Sequence, residues 1–200
     1  KDLDLHGLTV PRELGGMNAP MMVYFLNSEL MARADVSAMA HHGFHGGMAM
    51  AALVFSALEG SSDIDPVTGR INETRWRDVI EEIASGEAWG CMDITEPDAG
   101  SDMAALRSVG EQDADGNWYV TGEKIFITSG HGKHHFVIAR TEDADPDDPT
   151  GGINGLSLFL VRTYEDDADG NRNRTVKLPC VEEKLGHHGS ATCGLVFDKA

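Results

Sequence analysis

Met22, Phe25, Leu26 and Leu30 stand at i, i+3, i+4 and i+8, the spacing that lays apolar side chains along one face of a helix. That stripe predicts a first helix with this face buried, ending where Arg33 takes the next position. Asp35 and Ser37 offer caps for a second helix over residues 38–58, rich in Ala and Met and stopped at Gly60. Gly43, Gly46 and Gly47 interrupt its pattern. The polar stretch from Ser61 to Asn72, with Asp-Pro and Thr-Gly pairs, predicts a loop. Thr74 is then expected to cap a third helix that buries Trp76, Val79, Ile80 and Ile83 and stops at Gly86.

After Gly90 the period changes. Trp118-Tyr119-Val120 and residues 124–128 are short β-branched and aromatic runs, and Thr121-Gly122 between them predicts a hairpin turn. Residues 136–141, 156–162, 175–180 and 192–197 are further strand candidates. Helices followed by strands predict an α+β chain: a helical domain over residues 1–88, then an antiparallel β domain of barrel or sandwich type over residues 89–200. Crossover helices between the strands are missing, which argues against a doubly wound sheet.

Charge narrows the function. Asp and Glu number 33 against 16 Lys and Arg, a net charge of −17, which opposes nucleic-acid binding and adsorption to an anionic membrane. The most apolar run, Met48 to Leu58, is too short to span a bilayer. Cys91, Cys180 and Cys193 are odd in number and form no C-x-x-C pair, so the expectation is a reduced, cytoplasmic setting with each thiol a small hydrophobe.

Candidate chemistry outside one segment is sparse. His41 and His45 stand one helical turn apart, but no third metal ligand is suggested nearby, and no metal is expected. His131, His134 and His135, and the pair His187 and His188, read as surface loops. The acidic stretches Glu142–Asp148 and Glu165–Asp169 read as solvated hairpin tips. The second echoes the opening of a calcium loop, yet its twelfth position is Val176 rather than Glu. Phosphate-binding, dinucleotide and nucleophile-elbow motifs are absent from the sequence. The segment Asp93-Ile94-Thr95-Glu96-Pro97-Asp98-Ala99-Gly100-Ser101-Asp102 combines hydroxyls, a Pro that fixes a turn and a Gly that admits a ligand to the backbone. Such a turn suits a polar, anionic or heteroaromatic ligand as well as a plain strand-to-loop transition.

The run Thr-Glu-Pro-Asp-Ala-Gly-Ser-Asp at 95–102 resembles the signature of the acyl-CoA dehydrogenase family. Other segments resemble the family in the same order: Val10-Pro11-Arg12-Glu13-Leu14-Gly15-Gly16, Ser85-Gly86-Glu87, and residues 115–130, 136–141, 155–161 and 183–190. The last of these is most similar to the larger bacterial members, including the methylmercaptopropionyl-CoA type. The resemblance implies an FAD enzyme that oxidises an acyl-CoA thioester to the 2,3-enoyl-CoA, removing the α proton with a carboxylate and passing the β hydrogen to the flavin as hydride.

By that resemblance Met92, Asp93, Ile94 and Thr95 line the flavin, Gly100 and Ser101 approach the cofactor, and Ser101 also meets the acyl-CoA. Phe126 stands where many members have Trp and packs on the flavin, Ile127 adds backbone contact, and Thr128 aims its hydroxyl at the ring. Glu96 is expected to hold its turn. The catalytic base is expected in a C-terminal helical bundle beyond Ala200, so no catalytic residue is expected in this chain. An electron-transfer flavoprotein or another acceptor, and a homo-oligomeric full-length protein, are the implied partners. An acyl-CoA oxidase and a non-catalytic flavin-binding relative acting in nucleic-acid protection share the same motifs.

Overall fold

The computed structural model describes residues 3–143 and 147–200. The fold is α+β, and the chain divides into two compact units: residues 1–90 with 185–190, and residues 91–184 with 191–200. None of the helices described is long and apolar enough to cross a membrane.

The first unit carries α1 (Met21–Ala34), α2 (Val36–Leu58), a hairpin of β1 (Ser62–Ile64) and β2 (Ile71–Thr74), and α3 (Arg77–Ala84). α2 runs unbroken through its three glycines. One of them has a packing reason: Tyr24 donates to the Gly43 carbonyl at 2.9 Å, and a β-carbon on Gly43 would lie 3.2 Å from the Tyr24 hydroxyl. Asp35 caps α2, its Oδ1 accepting from the amides of Ser37 at 2.7 Å and Ala38 at 3.2 Å. α3 buries Val79, Ile80 and Ile83 as expected, with Trp76 only half-buried.

Three expectations fail in this unit. α1 exists, but its apolar stripe is exposed, with Met22, Phe25, Leu26 and Leu30 all more than half accessible. The face turned inward is Tyr24, Asn27, Ser28 and Met31, which reach α2 through the Tyr24 bond and a 3.0 Å contact from Asn27 to His42. The expected loop from Ser61 to Asn72 is the β1–β2 hairpin, turned by Asp65, whose carboxylate accepts from Val67 and Thr68. Thr74 caps nothing; it ends β2, where its buried hydroxyl bonds Ser56 at 2.7 Å and Ser62 at 3.0 Å.

The second unit is built on β3 (Gly90–Asp93), β4 (Val109–Gln112), β5 (Trp118–Thr128), β6 (His134–Arg140), β7 (Leu156–Arg162), β8 (Tyr164–Asp166), β9 (Arg172–Arg174), β10 (Lys177–Val181) and β11 (Thr192–Phe197). The main sheet runs β10-β11-β5-β4-β6-β3, and β7 pairs with β6. β10–β11, β11–β5, β4–β5 and β6–β7 pair antiparallel, and β4 meets β6 through a parallel bridge between Val109 and Arg140. Val120, Ile127, Val137, Ala139, Leu195 and Phe197 form its core with Cys91 and Cys193.

The hairpin expected at Thr121-Gly122 is absent: β5 is one strand of eleven residues. Residues 118–121 pair with β4 and residues 122–128 with β11, so the strand changes partner at Gly122. Gly122 is needed for close approach, because a β-carbon there would stand 2.1 Å from the Ser108 hydroxyl. The acidic tip at 165–169 does turn the β8–β9 hairpin. In the other acidic stretch, residues 144–146 lie outside the described residues.

Candidate functional site

β3 leads into the signature segment, and β5 lies beside it. The Ile125 amide donates to the Thr95 carbonyl at 2.9 Å, which brings residues 94–96 against residues 124–126. The turn after Thr95 closes on itself: Glu96 and Ala99 exchange backbone bonds of 2.9 and 3.1 Å, leaving Pro97 and Asp98 at an exposed tip. Glu96 is buried and accepts from the amides of Arg107 at 2.7 Å and Ser108 at 3.0 Å, so it ties the turn to the chain entering β4.

Glu96 also receives the fully buried Lys124 ammonium at 2.8 Å. Lys124 spends its other two donors on the carbonyls of Ile94 at 3.0 Å and Ile138 at 2.7 Å. Burial pushes the Glu96 carboxyl up, but the bonds from Lys124, Ser108 and Arg107 outweigh it and hold its pKa below the ordinary value. Burial pulls the Lys124 ammonium down, opposed by Glu96. Every proton of this ammonium has an oxygen, the condition under which a charge is tolerated in a core.

β5 carries an irregularity at the same place. Ile127 pairs with Cys193 but Lys124 pairs with Leu195, so two residues of β5 oppose the single Gly194. The extra residue makes a β-bulge, and Phe126 within it has φ 59°. A left-handed backbone is costly for an aromatic residue. The bulge leaves Phe126 60% exposed between the half-buried Ile125 and the buried Ile127. Thr95 and Thr128 are half-buried, and their hydroxyls are uncommitted among the described residues.

The structure thus gathers Thr95, Phe126 and Thr128 on adjoining segments, with Met92 and Ile94 half-buried on the approach. Gly100 and Ser101 are exposed past the turn, and the space a Gly100 β-carbon would take is open. Two expected residues face the other way. The Ile127 side chain is in the core, leaving only its backbone for contact. The Asp93 carboxylate is fully buried and bonded to His135 Nδ1 at 2.7 Å, so only its backbone could meet a ligand.

His134 and His135 are not loop residues; both are buried on β6. His45 is likewise buried, its Nε2 donating to the Ile83 carbonyl at 2.7 Å. Cys91 and Cys193 are buried as small hydrophobes, whereas Cys180 is exposed. Sequence reading missed the two buried pairs, Lys124 with Glu96 and Asp93 with His135. The available signal was Lys124 directly before the apolar run Ile125-Phe126-Ile127 and His135 directly before Phe136-Val137-Ile138-Ala139.

The sequence pattern described as "Acyl-CoA dehydrogenase, middle domain" matches residues 91–200, and the chain belongs to the acyl-CoA dehydrogenase family. It is 32% identical over 208 residues to the 3-methylmercaptopropionyl-CoA dehydrogenase of Ruegeria pomeroyi, covering 100% of this chain and 32% of that protein. It is 34% identical over 199 residues to a broad-specificity linear acyl-CoA dehydrogenase of Mycobacterium tuberculosis, covering 94% of this chain and 29% of that one. The chain therefore spans about a third of the length of these curated relatives. An acyl-CoA dehydrogenase of Bacillus anthracis, solved in complex with FAD, shares the fold at a TM-score of 0.70 and 24% identity, over 100% of this chain and 29% of that one.

Proposed function

We propose that this chain supplies flavin and acyl-CoA contacts to an FAD-dependent acyl-CoA dehydrogenase, which oxidises an acyl-CoA thioester to the 2,3-enoyl-CoA. The observation that carries the reading is Phe126: an exposed aromatic held in a left-handed bulge beside two uncommitted threonine hydroxyls. Strain of this kind persists where the surroundings impose it, and it concentrates at ligand sites.

These residues fit an isoalloxazine. Phe126 offers a flat apolar face with no donor of its own. Thr95 and Thr128 offer hydroxyls that can donate or accept at the ring's polar edge. Met92, Asp93, Ile94 and Ile127 contribute backbone, and Met92 adds a pliable side chain. Gly100 lets a bulky group reach the backbone, and Ser101 provides a hydroxyl for the pyrophosphate and the acyl-CoA. FAD, when bound, accepts the hydride that leaves the β carbon. This chain's part is to hold the ring, orient it and keep water from its face. Glu96 is consumed by three internal partners and is not the α-proton base.

The same reading places the protein in the cytoplasm as a homo-oligomer. It passes electrons to an electron-transfer flavoprotein or another acceptor. The test is a visible spectrum of the full-length protein before and after acyl-CoA is added without oxygen. Flavin bands that bleach support the dehydrogenase reading, and stoichiometric peroxide on admitting air would move it to an oxidase. Flavin bands that persist with every acyl-CoA would leave a non-catalytic flavin binder, and a protein that takes up no FAD would overturn the site.

A further inference from the structure

Behind the candidate cofactor segments lies a second buried pair. Asp93 ends β3 and His135 stands on β6, both with no exposed surface. Asp93 Oδ2 meets His135 Nδ1 at 2.7 Å, and Asp93 Oδ1 accepts from the Cys91 thiol at 3.4 Å. On its far side His135 Nε2 donates to the Gly132 carbonyl at 3.2 Å. A carbonyl only accepts, so Nε2 carries a proton, and one further proton is held between Nδ1 and Oδ2. Burial, with the Asp93 charge next, raises the Cys91 thiol well above its ordinary value, so it serves as a neutral donor. Cys91, Asp93 and His135 are of metal-ligating type and lie within 4.8 Å of one another, but each is already bonded by its neighbours without an ion.

The bonds continue beyond His135. The Gly132 carbonyl also accepts from the Thr163 hydroxyl at 2.7 Å, and the Gly132 amide donates to the Ser129 carbonyl at 2.8 Å. Ser129 has φ 61° and immediately follows Thr128. One continuous hydrogen-bonded path therefore joins the strand that delivers residues 92–95 to the turn that closes residues 126–128.

We propose that the Asp93 and His135 side chains position the flavin: buried behind it and not touching it themselves, they clasp the two cofactor-binding segments at a fixed spacing. This rests on the FAD reading above. The pair is well suited to the task, because a charge-assisted bond is short and directional and the core around it leaves it no alternative partner.

The test compares FAD dissociation constants of the full-length protein and its Asp93→Ala and Asp93→Asn variants. Removing the carboxylate breaks the clasp, and Asp93→Ala weakens FAD about tenfold, the scale of one charge-assisted bond. Asp93→Asn recovers most of that loss, because its amide can donate to Nδ1 of a neutral imidazole that still donates to Gly132. FAD binding unchanged in folded Asp93→Ala would overturn the proposal. So would Asp93→Asn as weak as Asp93→Ala, or one equivalent of zinc in the purified protein that Cys91→Ser removes. Hydrogen exchange on the unaltered protein tests the same coupling without a variant. FAD should raise protection of residues 92–95 and 129–132 together, and protection confined to one segment would overturn the clasp. If the unaltered protein binds no FAD, the parent reading fails first, and that outcome is distinct from these.

Discussion

The helical unit buries hydroxyls and imidazoles, whereas the β unit, besides buried hydroxyls, buries acidic side chains each paired with a basic one. In the helical unit Ser56 bonds Ser61, Ser62 and Thr74 through hydroxyls, and His45 sits uncharged against a carbonyl. Burial, then the charge of His6, pulls the His45 pKa down to about 4. In the β unit Lys124 meets Glu96, and Asp93 meets His135, all but Glu96 with no exposure and Glu96 at 6%. Neutral hydrogen bonds suffice where helices pack by shape. Among the described residues the two buried acid–base pairs stand behind residues 92–96 and 124–128, where backbone must be held in unusual geometry, and each is surrounded by the partners it needs.

The largest break in that contrast comes from Lys124→Met. It leaves Glu96 buried with no counter-charge and should cost about 3–5 kcal/mol in urea unfolding. Adding Glu96→Gln should restore part of it, because the surviving side chain is then neutral. A loss under 1 kcal/mol for Lys124→Met would mean that the pair behaves as a surface pair.

Acid sharpens the contrast next. Unfolded His45 protonates near 6.5, and the folded residue does so only near 4. Its contribution is thus intact above pH 6.5 and is lost progressively as pH falls to about 4, by roughly 3 kcal/mol. Glu96, held below its ordinary 4.5, keeps its contribution until pH falls under that value. The helical unit should therefore loosen at a higher pH than the β unit. Trp76 and Trp89 report the first and Trp118 the second, so single-tryptophan variants followed by fluorescence resolve the order. His45→Gln should flatten the slope between pH 6.5 and 4.

A smaller effect tests the bend in β5. Gly122→Ala drives a β-carbon into Ser108 and should cost roughly 1–3 kcal/mol. Ser108→Ala should relieve only the hydroxyl clash, since the Ser108 Cα is also within 2.8 Å of the built β-carbon.

The same division explains what could be read from the chain. β7 and β11 were predicted at their observed bounds, and β6 nearly so, because each is a short run of β-branched and aromatic residues. The helical pattern of α1 was also legible, but not which face packs, since its apolar stripe is exposed and Tyr24 and Asn27 bond inward to α2. Gly122 read as a turn because Thr-Gly pairs usually make one; here the glycine yields space to a chain segment remote in sequence. The buried pairs join residues 28 and 42 positions apart, a relation that no local pattern contains. Thr95, Phe126 and Thr128 were reachable through a resemblance, whereas the bulge that presents Phe126 depends on the register with β11.

Phe126→Gly measures the central claim most directly, in the full-length protein, by FAD affinity and unfolding in the absence of FAD. Glycine adopts φ 59° freely, so the FAD-free protein should gain about 1 kcal/mol in stability. FAD should at the same time bind about tenfold more weakly for want of the aromatic face. A variant that is more stable and poorer in FAD is the predicted result. FAD affinity equal to that of the unaltered protein would show that the strained aromatic is not the flavin's platform.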